Sequence, residues 1–173
     1  GKMFACEHER VQPDLYVFAK GLTGGYLPLA ITLVSHEVFE PFKRGDPAAI
    51  LFYGHSYTGN ALGCAAALAN LEIFRTENTL ETLPPKVETL RAGMAVLGQL
   101  DGVAETRSCG LIGAIDLAGD SRRAAQVCRA AREKGLLTRH IRNTVTFMPP
   151  LTVSERHLEM ALTVLNEVIP IVV

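Results

Sequence analysis

The chain has 173 residues, a net charge of −1, and 48% hydrophobic against 20% charged residues. That length holds one ordinary domain or parts of two, and that composition belongs to a globular chain rather than a disordered one. The balanced charge argues against nucleic acid or an acidic membrane surface as partner, and no apolar stretch reaches membrane-spanning length.

The opening Gly1-Lys2-Met3-Phe4 has no initiator methionine, and core-like sequence arrives within twenty residues. A piece lacking its N-terminal portion is expected. Leu15 to Ala19 follows Pro13-Asp14 and is short, apolar and rich in Val and aromatics, which predicts a buried strand. Leu27 to Val34 is a second apolar run after a glycine turn and Pro28, and Ser35 is expected to cap a short helix through Phe42. Gly45-Asp46-Pro47 breaks the chain. A helix is expected from about Ala61 to Arg75, with Leu62, Ala66, Ala69 and Ile73 on one face and an alanine run suited to close packing.

Thr79 to Leu83 and the Pro84-Pro85 pair predict a domain boundary. Val87, Leu90, Met94 and Leu97 form the stripe of the next helix. A strand is predicted over Gly110–Leu117, a helix from Ser121 to Lys134-Gly135, and a strand over Thr144–Met148, stopped by Pro149-Pro150. Ser154 caps a last helix carrying Leu158, Ala161, Leu162 and Leu165. The alternation of helices and strands predicts α/β layers.

Chemistry concentrates in two segments. Lys20, in Tyr16-Val-Phe-Ala-Lys-Gly-Leu-Thr-Gly-Gly25, stands at a strand end before a glycine-rich turn. Desolvation at a core edge favours a neutral amine, the form that attacks a carbonyl cofactor such as pyridoxal phosphate. A lysine snorkelling into water satisfies the same local pattern. Gly54-His-Ser-Tyr-Thr-Gly-Asn60 supplies hydroxyls just before a helix start, where free N–H groups suit an anion. A hydroxyl-rich cap without a ligand fits equally. The segment lacks the Gly-Lys-Ser/Thr of a P-loop.

Arg139 and Arg142, in Leu136-Leu-Thr-Arg-His-Ile-Arg-Asn143, offer guanidinium forks for a carboxylate, with solvated loop charges as the alternative. The histidines show no metal-ligand spacing, and His8, His36 and His157 read as surface. Cys6, Cys64, Cys109 and Cys128 form no CxxC pair and read as free thiols of a reducing cytosol, packed as small core hydrophobes.

Four tracts, Phe4-Ala-Cys-Glu-His-Glu9, Lys20-Gly-Leu-Thr-Gly-Gly25, Gly54-His-Ser-Tyr-Thr-Gly-Asn60 and Phe147-Met-Pro-Pro150, occur in the order and spacing of the class III pyridoxal-phosphate aminotransferases, which the chain resembles along its whole length. The likeness is greatest to the branch acting in biotin synthesis. It implies fold type I of the pyridoxal-phosphate-dependent transferases: the end of the large cofactor domain over 1–78, then the small C-terminal α+β domain over 79–173. It also implies that Lys20 forms the Schiff base with pyridoxal phosphate and afterwards shuttles a proton. Ser56 stands where the family has its phosphate-binding threonine, with His55 in the same loop and Gly54 near the substrate.

That loop serves the cofactor of the other subunit in this fold type, so a homodimer is implied. Arg139 matches the arginine that holds the carboxylate of the keto substrate, here a keto amino acid; S-adenosylmethionine or lysine is the implied amino donor. Thr146 departs from a family tyrosine. The acidic residue that pairs with the ring nitrogen, the glycine-rich phosphate turn and the stacking aromatic would lie upstream of Gly1. Two alternatives stay open: another class III ω-aminotransferase, or a catalytically inactive piece acting only as a fold or interaction unit.

Overall fold

The computed structural model describes residues 1–43 and 45–173. The chain divides into two compact units, Lys2–Asn78 and Thr79–Val173.

In the second unit, α3 (Leu83–Leu97) carries prolines in its first turn, where a missing N–H costs nothing. It is followed by β3 (Val103–Cys109), β4 (Ile112–Leu117), α4 (Arg123–Glu133), β5 (Arg139–Ile141), β6 (Thr144–Phe147) and α5 (Glu155–Val172). The strands form one antiparallel sheet in the order β3-β4-β6-β5. Alternation along β4 and β6 turns Ile115, Leu117, Val145 and Phe147 into a core with Leu90, Met94 and Leu97 of α3, Val127 of α4, and Leu158, Leu165 and Ile169 of α5. Each fully buried Leu or Ile contributes about 1.5–3 kcal/mol.

α3 and α5 approach so closely at Gly93 that an added Cβ would lie 2.5 Å from a Leu162 methyl carbon. On the sheet, Asp116 accepts from the Arg107 guanidinium and, at 2.5 Å, from the Thr144 hydroxyl. These two bonds, Arg107 first, hold its carboxyl below the usual range.

Several expectations shift here. β3 and β5 have no apolar run to reveal them, because they are the edge strands and their side chains are mostly exposed. β4 starts at Ile112, because Gly110 lies in the β3–β4 turn with φ 55°. α4 starts at Arg123 without a side-chain cap, two residues after Ser121; just ahead of it the Asp120 carboxylate accepts from the Arg122 N–H at 2.8 Å, and the Arg122 guanidinium pulls its pKa down to about 2. Ser154 does cap α5, accepting from the His157 N–H at 3.2 Å.

In the first unit, β1 (Leu15–Phe18) pairs antiparallel with β2 (Ile31–Val34). α1 (His36–Lys43) follows, with Ser35 accepting from the Val38 N–H at 3.4 Å, and then α2 (Ala61–Thr76). The burial expected of β1 is absent: Leu15 is 56% and Val17 73% exposed, since among the described residues β1 pairs with β2 alone and no element covers that face. Of the apolar run Leu27–Val34, Ile31–Val34 forms β2, while Leu27 remains in the preceding turn, where its carbonyl accepts from Thr23.

The packed face of α2 is also rotated from the expected one. Gly63 and Ala67 are buried, with Ala66, Asn70 and Phe74 half-buried, whereas Leu62 and Ile73 are exposed. Small residues face inward because Leu29 sits 3.4 Å from where a Gly63 Cβ would be. Of the cysteines, all four are free but just Cys128 is buried; Cys64 and Cys109 are exposed. Core packing therefore accounts for one thiol.

The buried residues of the first unit are Thr23, Gly63 and Ala67 among those described, which together supply little of the apolar burial that offsets chain entropy. Residues 79–173 expressed alone should thus unfold in urea as one cooperative transition, whereas residues 2–78 alone should show none. Circular dichroism across a urea titration checks both outcomes.

Candidate active site

Lys20 begins a four-residue 3-10 turn, Lys20–Thr23, directly after β1 and Ala19. Its backbone is left-handed, with φ 46°. For a residue with a Cβ this costs on the order of 1–2 kcal/mol and persists where surrounding structure enforces it. The enforcement is visible. Gly24 and Gly25 continue at φ 61° and 84°, conformations that glycine adopts without that penalty. Thr23, 2% exposed, donates its hydroxyl to the Leu27 carbonyl at 2.5 Å. Asn70 of α2 donates to the carbonyls of Gly21 and Leu22 at 3.0 and 3.1 Å.

The Lys20 side chain itself is exposed, so the desolvation expected from a core edge is not provided by this chain. Its amine has no carboxylate partner and no hydrogen bond among the described residues. The glycines and the turn hold it outward.

The loop Gly54–Asn60 belongs to the same unit and is self-braced. The His55 N–H donates to Thr58 Oγ1 at 3.0 Å, and the Tyr57 N–H donates to His55 Nδ1 at 3.1 Å. Asn60 Oδ1 accepts from the Leu62 N–H at 3.1 Å, so one of the α2 N–H groups expected to face an anion is already capped. The Ser56 hydroxyl, exposed, is left without a partner among the described residues. Thr58 is the loop hydroxyl engaged by backbone, which leaves those of Ser56 and Tyr57 available. Gly54 is exposed and lies close to Thr58, whose Oγ1 would be 3.9 Å from a Cβ there.

In the second unit, Arg139 is the first residue of β5 and stands opposite Thr146 of β6, whose hydroxyl donates to the Arg139 carbonyl at 3.0 Å. Arg139 has no carboxylate partner among the described residues, and it borders a groove of about 580 Å³ whose walls include Leu137, Met148, Pro149, His157 and Met160. A guanidinium beside apolar walls suits an aliphatic carboxylate. Arg142 sits instead in the β5–β6 turn at φ 54°, its carbonyl 3.1 Å from His140 Nδ1. Asn70 is the functional candidate that composition and spacing missed. A polar residue at a half-buried helix position, facing a glycine turn, was its one signal.

Those residues fit pyridoxal phosphate: an unpaired amine on an enforced turn and an uncommitted hydroxyl in a braced loop are donors such a group requires. Comparison with known proteins bears on the same chemistry. The Aminotransferase class-III family model matches residues 1–169, and the chain belongs to that family. It is 44% identical over 170 residues to an adenosylmethionine-8-amino-7-oxononanoate aminotransferase of Nitratidesulfovibrio vulgaris, covering 92% of this chain and 31% of that protein. Against the same-named protein of Anoxybacillus flavithermus it is 41% identical over 181 residues, covering 98% of this chain and 40% of the relative.

The crystal structure of that aminotransferase from Methanocaldococcus jannaschii superposes with a TM-score of 0.89 at 35% identity, over 99% of this chain and 42% of the other. A thermostable omega transaminase from Pseudomonas jessenii gives a TM-score of 0.91 at 29% identity, over 99% of this chain and 41% of the other. The chain thus spans between 31% and 40% of the length of these two curated relatives, as a C-terminal portion. Its fold is mixed α/β, the C-terminal portion of fold type I.

Proposed function

We propose that this chain is the C-terminal portion of a cytoplasmic, homodimeric pyridoxal-phosphate-dependent aminotransferase that converts 7-keto-8-aminopelargonate to 7,8-diaminopelargonate in biotin synthesis. Residues 1–78 would be the end of its large cofactor domain and residues 79–173 its small domain. The observation that carries the reading is Lys20: an unpaired amine on a left-handed, glycine-flanked turn, in a chain whose relatives are named as aminotransferases acting on 8-amino-7-oxononanoate.

Bound at Lys20, pyridoxal phosphate would supply an aldehyde for the amine and a ring that accepts electrons. Lys20 would hold the group through its amine and would serve as the base that moves the proton at the substrate carbon. Ser56 offers its hydroxyl to phosphate, and His55 braces that loop through Tyr57. The dimer reading rests on the same loop, which would serve the partner's cofactor and lies beside the exposed run Ile50–Tyr53, in which Phe52 is 88% exposed. Gly54 leaves room beside the substrate. Arg139 grips the acceptor carboxylate with two parallel bonds while the apolar groove walls take its aliphatic chain. The amino donor is S-adenosylmethionine, which the relatives' name carries, or lysine.

A second reading, an ω-aminotransferase with another acceptor, draws support from the likeness to the Pseudomonas jessenii omega transaminase and from Thr146. Assay of the holoenzyme with each acceptor separates the two.

Borohydride reduction of the holoenzyme, followed by peptide mapping, should place the cofactor on Lys20; a label on another lysine rejects the central claim. Ser56→Ala should weaken cofactor retention by about 1–2 kcal/mol, the worth of one charge-assisted hydrogen bond, as read by equilibrium dialysis. Arg139→Lys should raise KM for the acceptor and leave cofactor absorbance intact, because an ammonium cannot replace the bidentate fork. Arg142→Ala, in the turn beyond, should change KM little. The reverse ranking in steady-state kinetics would remove the substrate assignment.

A further inference from the structure

We propose that Asn70 is a positioning residue for Lys20, acting through the backbone of the turn; the proposal rests on the reading of Lys20 as the cofactor-bearing lysine. The 3-10 turn Lys20–Thr23 is too short to hold itself. Besides the bond internal to it, the turn is closed by Leu22 N–H to the Ala19 carbonyl and Gly24 N–H to the Gly21 carbonyl, both 3.1 Å, and the Leu22 carbonyl takes no backbone donor among the described residues. The Asn70 amide fills that gap. Its Nδ2 lies 3.0 Å from the Gly21 carbonyl and 3.1 Å from the Leu22 carbonyl, one and two residues past Lys20. Its Oδ1 lies 3.2 Å from where a Cβ on Gly24 would stand, so the amide is packed along the turn from Gly21 to Gly24.

Asn70 sits half-buried on the inward face of α2, the Gly63–Ala67 face, on a 16-residue helix that brings it to the turn from nearly fifty residues away in sequence. A strained lysine conformation needs an external restraint, and a planar side-chain amide anchored on a long helix supplies one. Released from Asn70, Lys20 relaxes toward right-handed or extended backbone and its amine leaves the orientation it holds here.

The test uses the full-length enzyme, with and without cofactor, in two variants. Asn70→Ala removes the amide; Asn70→Asp keeps its shape but presents a carboxylate oxygen to the two carbonyls in place of the donor. Hydrogen exchange of the Leu22 and Gly24 amides, measured without cofactor, should quicken by about three- to tenfold in both variants. The pH profile of the visible lysine–cofactor absorbance should shift, and apparent affinity for pyridoxal phosphate should fall by a similar factor.

A lowered melting temperature with unchanged exchange and unchanged pH profile would mean Asn70 is merely structural, and would overturn the proposal. Wild-type behaviour in Asn70→Asp would overturn it too, because donation would then be dispensable. Borohydride mapping keeps the two ideas apart. A label on another lysine defeats the reading of Lys20, whereas a label on Lys20 with unaltered variants defeats the Asn70 role alone.

Discussion

The left-handed backbone at Lys20 is the constraint around which the first unit is arranged. A residue with a side chain avoids that conformation unless its neighbours leave no alternative. Here β1 ends at Phe18, Gly24 and Gly25 turn the chain at positive φ, Thr23 ties the turn to Leu27, and Asn70 reaches across from α2. Small residues at Gly63 and Ala67 let that helix come close enough for a short asparagine to span the gap. The local structure of a unit with so few buried residues is thus spent on fixing one turn, and the amine is presented on it.

The second unit has the opposite economy. Its apolar core is large, continuous and filled by branched aliphatic side chains, so stability is available to hold residues that contribute none. Arg139 is one of these. It occupies an edge strand, where its side chain is exposed, but its register is pinned by pairing with Thr146, and β6 is in turn pinned between β4 and β5. The groove beside it takes its walls from the α4–β5 connection, the Met148-Pro149-Pro150 exit and α5. Because a shift of one residue in β5 would carry Arg139 to the other face, the core that sets register also sets which guanidinium is on offer.

Much of this was legible beforehand where a single physical signal dominated. The periodic stripe Leu90, Met94 and Leu97 announced α3, Ser154 announced α5, and the apolar run before Lys20 announced β1. Arg139 was set apart from Arg142 by the resemblance alone, and the structure separates them: Arg142 lies in the β5–β6 turn at φ 54°. The edge strands β3 and β5 were illegible for the converse reason: pairing on one side, with most side chains in water, leaves neither an apolar run nor strict alternation. The inward face of α2 was misjudged because hydrophobicity pointed to Leu62 and Ile73, while close approach favoured glycine and alanine.

Composition and local pattern by themselves determined that this chain is globular α/β, that Lys20 precedes a glycine turn, that hydroxyls lead into α2, and that an arginine pair follows α4. Those are properties of adjacent residues, and adjacency is what a sequence records. Tertiary structure alone decided that Thr58 is spent on bracing its own loop while the Ser56 hydroxyl is left uncommitted, that Asn60 occupies a helix N–H expected to meet an anion, that Arg139 borders the groove, and that Asn70 bonds the lysine turn. Each of these depends on which donor reaches which acceptor after distant segments pack, and a sequence separation of 49 between Gly21 and Asn70 leaves no local signal of their contact.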